Sequence, residues 1–505
     1  MSKKVSSVVS VLLVLILTLT LSACQAKGTT EMTSAATTAA TTADATTQKP
    51  LDPVNLVWYM CGDPQPGLQR VVDELNKTIQ AKINATLKIV IEDWGSYDEK
   101  MQMLMASGTE FDLCFTSDWC NQYFQKTAKG AFLPIDDLLN TYGKDILAHV
   151  PERYWPGVKV KGKTYGVINY QIMAIIRGLM LRTDLVTKYG FDAASVKSMA
   201  DLEPFFAAVK KGEPQIKTIC GPYKSIHTNI GDLKTGYKYA EITTVSNGPF
   251  YIKADDKDMN IINFYETPDV KAYYGLMRSW YQKGYFPKDV VNMEISDYNA
   301  QKKAGEVASF YVGLSPDADT PEWTPVPLMP AITDTNANIN SMTAISKTSK
   351  NPERAMMLLN MVFSDKEFFN TLVYGIEGTD YNKLPDGSVD IVPNSGYSWY
   401  YWEAGPTFNA YIPKGIPLDC WEKTKAINDS AALSPLVGFC VNQDPIKTPL
   451  TQIAAVIKEY APGLSVGAVD PSKRLPEFNA KLKAAGFDAI AAELKKQIDE
   501  WNATK

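Results

Sequence analysis

The sequence predicts an α/β protein, and two observations carry that reading. From Val54 onward, short apolar runs rich in β-branched residues alternate with helical stretches, in the order strand, helix, strand, helix, strand. That alternation marks a parallel sheet with crossover helices. The runs also end in polar turn segments, Gly62-Asp63-Pro64-Gln65 after the first and Ser117-Asp118-Trp119 after the third. In open sheets of this kind, ligands bind beyond the carboxyl ends of the strands. A chain of 505 residues is long enough for two or more domains.

Taken in order, Val54–Met60 reads as the first strand, Leu68 to about Gln80 as a helix, and Thr86–Glu92 as the second strand. Asp98–Ala106 reads as a helix ended by Ser107-Gly108, and Phe111–Phe115 as the third strand. Lys161 to Gly166 has the composition of a hairpin turn leading into a short strand, Val167–Tyr170. Further strands are expected at Ala174–Leu181, Gly305–Val312 and Thr343–Ser346, and helices at Ala200–Lys211 and Pro268–Lys283. Asn351-Pro352-Glu353 starts another helix, with an N-cap residue, a proline at the first helical position and an acid in the first turn. In the tail, Phe478, Leu482, Phe487, Ile490, Leu494, Ile498 and Trp501 recur at helical spacing, a face suited to docking on the body as a closing layer.

The amino terminus carries an address. Lys3 and Lys4 precede the apolar run Val8–Leu19 and the tetrad Leu21-Ser22-Ala23-Cys24. The order is that of a secretory signal, residues 1–23, and the run is too short for a permanent membrane span. The tetrad resembles the bacterial lipobox, in which the cysteine carries the acyl chains, palmitate among them, and holds the chain to the membrane surface. Residues 24–51 follow as a tether rich in Thr and Ala with nothing aromatic to bury. A flexible chain of that length has an end-to-end distance of about 25–30 Å.

Composition excludes several functions. Cleavage before Cys24 removes Lys3 and Lys4 and leaves 49 basic against 56 acidic side chains, a net charge of −7, the wrong sign for a nucleic-acid partner. Only His149 and His227 exist, and no C-x-x-C spacing occurs, so neither a zinc site nor a cofactor is expected. Gly463-Leu464-Ser465-Val466-Gly467 fits the hydrolase nucleophile pattern, but both histidines lie upstream, and Tyr460-Ala461-Pro462 reads as a helix end in place of the required strand. Asp256, Asp258 and Asn260 begin like a calcium loop, yet Ile261 replaces its glycine and Thr267 its closing glutamate. Besides Cys24 there are Cys61, Cys114, Cys120, Cys220, Cys420 and Cys440, several in apolar runs, which read as buried thiols.

Several segments together resemble one family. Phe111-Asp112-Leu113 with Thr116-Ser117 and Trp119, Gly162-Lys163-Thr164-Tyr165-Gly166-Val167, and Leu181-Arg182-Thr183-Asp184-Leu185 are similar to the extracellular sugar-binding proteins of bacterial ABC importers. Ser349 to Ala355 fits as well. Tyr374-Gly375-Ile376-Glu377-Gly378, Phe408-Asn409, Cys420-Trp421-Glu422-Lys423, Ser434 to Phe439 and Glu500-Trp501 are similar to a lipoprotein subgroup with an extended carboxyl-terminal region of undefined function. The resemblance implies a two-lobed periplasmic-binding-protein-like fold of type II, each lobe a mixed sheet flanked by helices, with a helical carboxyl-terminal extension. It implies lobe 1 over 52–167 and 314–364, and lobe 2 over 168–313 and 365–505. Crossings are expected near Val167–Gln171, just after Val312, and near Phe363–Lys366. It further implies a monomer on the outer face of the cell membrane that passes solute to ABC permease subunits. An anchor matters most in a Gram-positive envelope, where no outer membrane retains a free binder.

The residues speak separately to the ligand. With 10 Trp, 26 Tyr and 18 Phe, the chain is 11% aromatic. Sugars offer apolar faces to aromatic rings and hydroxyl rims to carboxylates and amides. Asp63 and Gln65 beyond the first strand, Trp94 beyond the second, and Asp118 and Trp119 beyond the third supply such pairs. Trp399 and Trp402 stand in the densest aromatic run, Tyr397 to Trp402; for any one ring there, burial against the carboxyl-terminal helices outweighs ligand contact. Tyr170 on the first crossing and Glu377 in Gly-Ile-Glu-Gly complete the candidates, Glu377 with a helix-capping alternative. An oligosaccharide carrier is the leading reading. A tethered polysaccharide hydrolase and a surface sensor or adhesion lipoprotein remain alternatives, since paired carboxylates cannot be seen in sequence.

Overall fold

The computed structural model describes residues 51–221, 236–242 and 248–503, so the expectations for the signal, Cys24 and the tether up to residue 50 lie outside the described residues. The predicted alternation appears as β1 (Val54–Cys61), α1 (Leu68–Ile83), β2 (Ala85–Glu92), α2 (Tyr97–Ser107) and β3 (Leu113–Thr116). β1 pairs in parallel with β2 from Val54 opposite Ala85 to Cys61 opposite Glu92, and with β3 through Trp58 and Leu113. α1 buries Val71, Val72, Leu75, Ile79 and Ile83, a stripe of helical period, and stops at Asn84, whose left-handed backbone returns its N–H to the Gln80 carbonyl. Gly108, at φ 68°, ends α2 in the same way. β3 begins two residues later than expected because the Asp112 carboxylate occupies the Val57 N–H (2.8 Å) and the Ser349 hydroxyl (2.6 Å). Met342–Ile345, antiparallel to both neighbours, and Gly166–Ile168 complete a sheet ordered β2, β1, β3, Met342–Ile345, Gly166–Ile168.

The second lobe is built on antiparallel pairs. Arg177–Arg182 runs between Ser309–Gly313 and Trp323–Pro327, and a further sheet joins Tyr239–Glu241, Phe250–Lys253 and Ile262–Asn263. The tail forms two helices, Pro471–Ala484 and Phe487–Asn502, parted at Gly486 with φ 102°. Their Phe478, Leu482, Ile490, Leu494 and Ile498 are buried in the core of this lobe, and Phe487 stacks on Phe250 with ring centroids 5.0 Å apart. The helix Lys447–Ser465 runs through Pro462, where a helix end was expected, because its interior faces bury Tyr460, Ala461 and Leu464. Ser465 is therefore a buried helical residue and not a nucleophile on a strand-to-helix turn. The Asp256 carboxylate closes a turn on the Asp258 and Asn260 N–H groups, both at 2.9 Å.

Two hydrophobic cores define the lobes, and they correct the expected boundaries. The first gathers buried side chains from Leu56 to Met173 and from Ile339 to Trp421; the second spans Leu179 to Leu328 and Leu436 to Ile498. Residues 314–327 therefore stay with lobe 2, held by the ladder between Trp323–Pro327 and Arg177–Arg182. The stretch from 366 to 421, expected in lobe 2, packs on α1 and on the helix Pro352–Ser364 in lobe 1. The chain crosses between cores after Met173, after Leu328 and after Trp421. These crossings are laced together: Ile175 bridges Ile332, Ile332–Thr333 pairs with Ala432–Leu433, and Asn428 accepts the Met173 N–H and donates to the Gln171 carbonyl, both at 2.7 Å.

Candidate ligand-binding site

The parallel register brings the ends of β1, β2 and β3 to one edge of the sheet, so the turns carrying Asp63, Trp94 and Trp119 emerge side by side. Across that edge lies the segment Tyr397 to Glu403. The Asn169 amide donates to the Glu403 carbonyl (2.6 Å), the Ser341 hydroxyl donates to the Trp402 carbonyl (2.6 Å), and the Glu403 carboxylate accepts the Cys61 N–H (2.9 Å). Gly62 permits the approach, since a Cβ there would sit 2.7 Å from the Trp399 ring.

A tryptophan platform results. Trp94 lies 6.0 Å from Trp119 and stacks on Trp402 at 6.2 Å, Trp119 and Trp402 are 6.0 Å apart, and Phe115 supports both from below at 5.6 and 6.0 Å. Tyr400 closes the group, 5.6 Å from Trp94 and 5.5 Å from Trp402. Trp119 is 46% exposed, although its indole N–H is anchored on the Asn340 carbonyl at 3.0 Å.

Polar groups rim the rings. The Tyr400 hydroxyl donates to Asp63 (3.2 Å), and Gln65 accepts the Ser398 N–H (3.0 Å). Asp118 has one carboxylate oxygen buried with no hydrogen-bond partner. Burial pushes its carboxyl up to about 6, and the nearby Asp334 charge adds to the rise. A ligand hydroxyl bonded to that oxygen would remove the penalty. Glu403 is wholly buried and held well above the usual carboxylate range by that burial, so it supports the platform from within.

On the second lobe a cavity of about 440 Å³ lies among Tyr237, Tyr251, Tyr273, Arg177, Lys238 and Asp334. Strand alternation builds it: Ala240, Phe250 and Ile252 point into the core, leaving Glu241 and Tyr251, directly opposite each other, on the cavity face. Asp334 caps the short helix Thr335–Ile339, accepting the Ala337 N–H at 2.8 Å, and the Ile339 carbonyl at the far end of that helix accepts the Asp118 N–H at 3.2 Å. Platform and cavity are thus tied through one helical turn.

Of the residues the sequence nominated, Asp63, Gln65, Trp94, Asp118, Trp119 and Trp402 meet at the platform. Three do not serve as expected. Tyr170 is buried between Tyr154 and Phe408, at 5.9 and 4.7 Å, where the first crossing turns into the core. Glu377 is ion-paired to Lys383 at 3.0 Å and fastens the hairpin Tyr381–Lys383 and Val389–Ile391. Trp399 is buried under Gly62 and carries the platform without reaching its surface. Sequence reading passed over Tyr400, Glu403 and the second-lobe cavity. Only Tyr400 carried a signal, its place in the aromatic run.

Two α/β lobes joined by three laced crossings, with ligand-type surfaces at the strand ends, define a two-lobed solute-binding protein. Residues 62–367 match the family described as bacterial extracellular solute-binding protein, and the chain belongs to that family. Residues 435–503 match a domain of unknown function, DUF3502, which covers the helical extension on lobe 2. Members act outside the cell or at its membrane. A carbohydrate ABC transporter substrate-binding protein of Streptococcus pneumoniae is 28% identical over 467 residues, 88% of this chain and 91% of that one. The crystal structure of the N-glycan transport solute-binding protein NgtS from the same species aligns with a TM-score of 0.77 at 26% identity, covering 89% of this chain and 99% of that one. An alginate-binding protein, AlgQ2, at 17% identity and a TM-score of 0.55, covering 88% of this chain and 98% of that one, shares the fold.

Proposed function

We propose that this chain captures an oligosaccharide between its lobes and delivers it to the permease of an ABC importer, without chemical conversion. The platform of Trp94, Trp119 and Trp402, rimmed by Asp63, Gln65 and the unsatisfied Asp118, is the observation that carries this reading: flat apolar rings beside hydroxyl partners suit a sugar chain. The similar S. pneumoniae proteins, named for carbohydrate and N-glycan transport, support the same class, and NgtS has been crystallised with Man1GlcNAc and Man5GlcNAc. Cys24 would hold the protein at the membrane by acyl chains, a monomer on its leash beside the permease.

Titration of the mature protein with Man1GlcNAc, Man5GlcNAc and other oligosaccharides tests the reading. A saturable rise in Tm without release of reducing ends is the expected result. Release of reducing ends would favour the hydrolase, and no shift with any glycan would favour a sensor or adhesion protein. Mass spectrometry of membrane-extracted protein is expected to find the amino terminus at an acylated Cys24.

A further inference from the structure

The second-lobe cavity has a described lining whose cations are already matched. Lys238 pairs with Asp269 at 2.7 Å, and the other carboxylate oxygen of Asp269 takes the Tyr239 hydroxyl at 2.6 Å. Arg177 lies close enough to the half-buried Asp334 to oppose the upward push that desolvation gives that carboxyl. Glu241 is bonded to the Tyr251 hydroxyl. Two cations therefore stand among three carboxylates within the described lining, and each cation has an acid beside it. Among the described residues of the lining, an anionic ligand would meet no unmatched positive charge. Desolvating it there would be costly. The remaining surface is aromatic and hydroxylic: Tyr251 stacks on Phe264 with centroids 4.0 Å apart, and Tyr237 and Tyr273 add rings with polar tips. At about 440 Å³ the space lies at the low end of small-molecule sites, suited to one end of a sugar chain.

We infer that this cavity is a second subsite that takes an uncharged terminal sugar of the oligosaccharide held on the tryptophan platform, and that it excludes uronates. The inference rests on the carbohydrate reading above and deepens it. The helix Thr335–Ile339, with Asp334 in the cavity wall at one end and its Ile339 carbonyl bonded to Asp118 at the other, places the subsite next to the platform, so one chain reaches both.

Calorimetry on the mature chain tests this with Man5GlcNAc, Man1GlcNAc and an oligomannuronate. Ala272 lines the cavity and is solvent-exposed on the helix Pro268–Gln282, so Ala272→Trp fills the space with little burden on folding. The expected result is binding of the neutral glycans, at least tenfold weaker binding of the oligomannuronate, and at least a tenfold loss of Man5GlcNAc affinity in Ala272→Trp at unchanged Tm. Equal affinity for the oligomannuronate, or an Ala272→Trp protein that binds Man5GlcNAc as the native one does, overturns the subsite. If Trp119→Ala weakens binding while Ala272→Trp does not, the platform reading stands and only this inference fails. If the native protein binds no glycan, both fall.

Discussion

The two candidate ligand walls are built from opposite parts of sheet geometry. On lobe 1 the wall is a row of strand ends: the turns after three parallel strands project rings outward, and a segment from far along the chain is pinned across them. On lobe 2 the wall is the open face of a small antiparallel sheet, and the tyrosines that line it alternate with residues committed to the core. The first surface is a projecting shelf with an unsatisfied carboxylate at its edge; the second is a hollow whose charges are mutually engaged. Stacking on indole faces tolerates many sugars, because every pyranose has an apolar face. A hollow with neutralised walls discriminates by size and charge. On the proposed reading the shelf supplies affinity and the hollow selection.

Substitutions on the shelf should bring out that contrast, in descending order of effect. Trp402→Ala removes the ring shared by Trp94, Trp119, Phe115 and Tyr400, and glycan affinity should fall about 100-fold, near 2.7 kcal/mol, by calorimetry. A fall of similar size for every neutral glycan is expected; one confined to a single glycan would mean that the shelf also selects. Gly62→Ala drives a methyl group against the Trp399 ring and should cost about 2 kcal/mol of stability, read as a lower Tm and weaker binding together.

Asp118→Asn tests the rim. The folded carboxyl titrates near 6 against its ordinary 3.8, so its ionised form opposes folding. Native stability should therefore rise as pH falls from about 6 towards 4, and stay level above. Asn at this position should abolish that slope and raise stability at pH 7 by about 1–2 kcal/mol in denaturant unfolding. Trp119→Ala should weaken binding about tenfold with little change in Tm, since the exposed ring contributes little to the core. Tyr400→Phe loses the exposed bond to Asp63 and the hydroxyl's bond with the Trp94 indole but keeps the ring, and affinity should change less than threefold.

Local periodicity made the first lobe legible. The Val54–Cys61 strand, the amphipathic α1 and the Gly108 stop each announce themselves within a dozen residues, and the rule about strand ends then nominates Asp63, Trp94, Asp118 and Trp119. The strand Trp323–Pro327 was hidden by its prolines, Pro325 and Pro327, which a ladder tolerates because this strand pairs on one side only, at the sheet edge. Without that strand the sequence puts the second crossing just after Val312, too early by the length of the ladder.

The sequence by itself determined which segments become strands and helices and which polar turns follow them, because hydrogen-bonding period and turn chemistry act between near neighbours. Tertiary structure alone decided that the segment after Phe363 stays in lobe 1, that Tyr170 is covered by Phe408, and that Tyr400 reaches Asp63 across 337 positions. Those outcomes depend on which distant apolar surfaces cover each other, and burial of that kind leaves no local period to read.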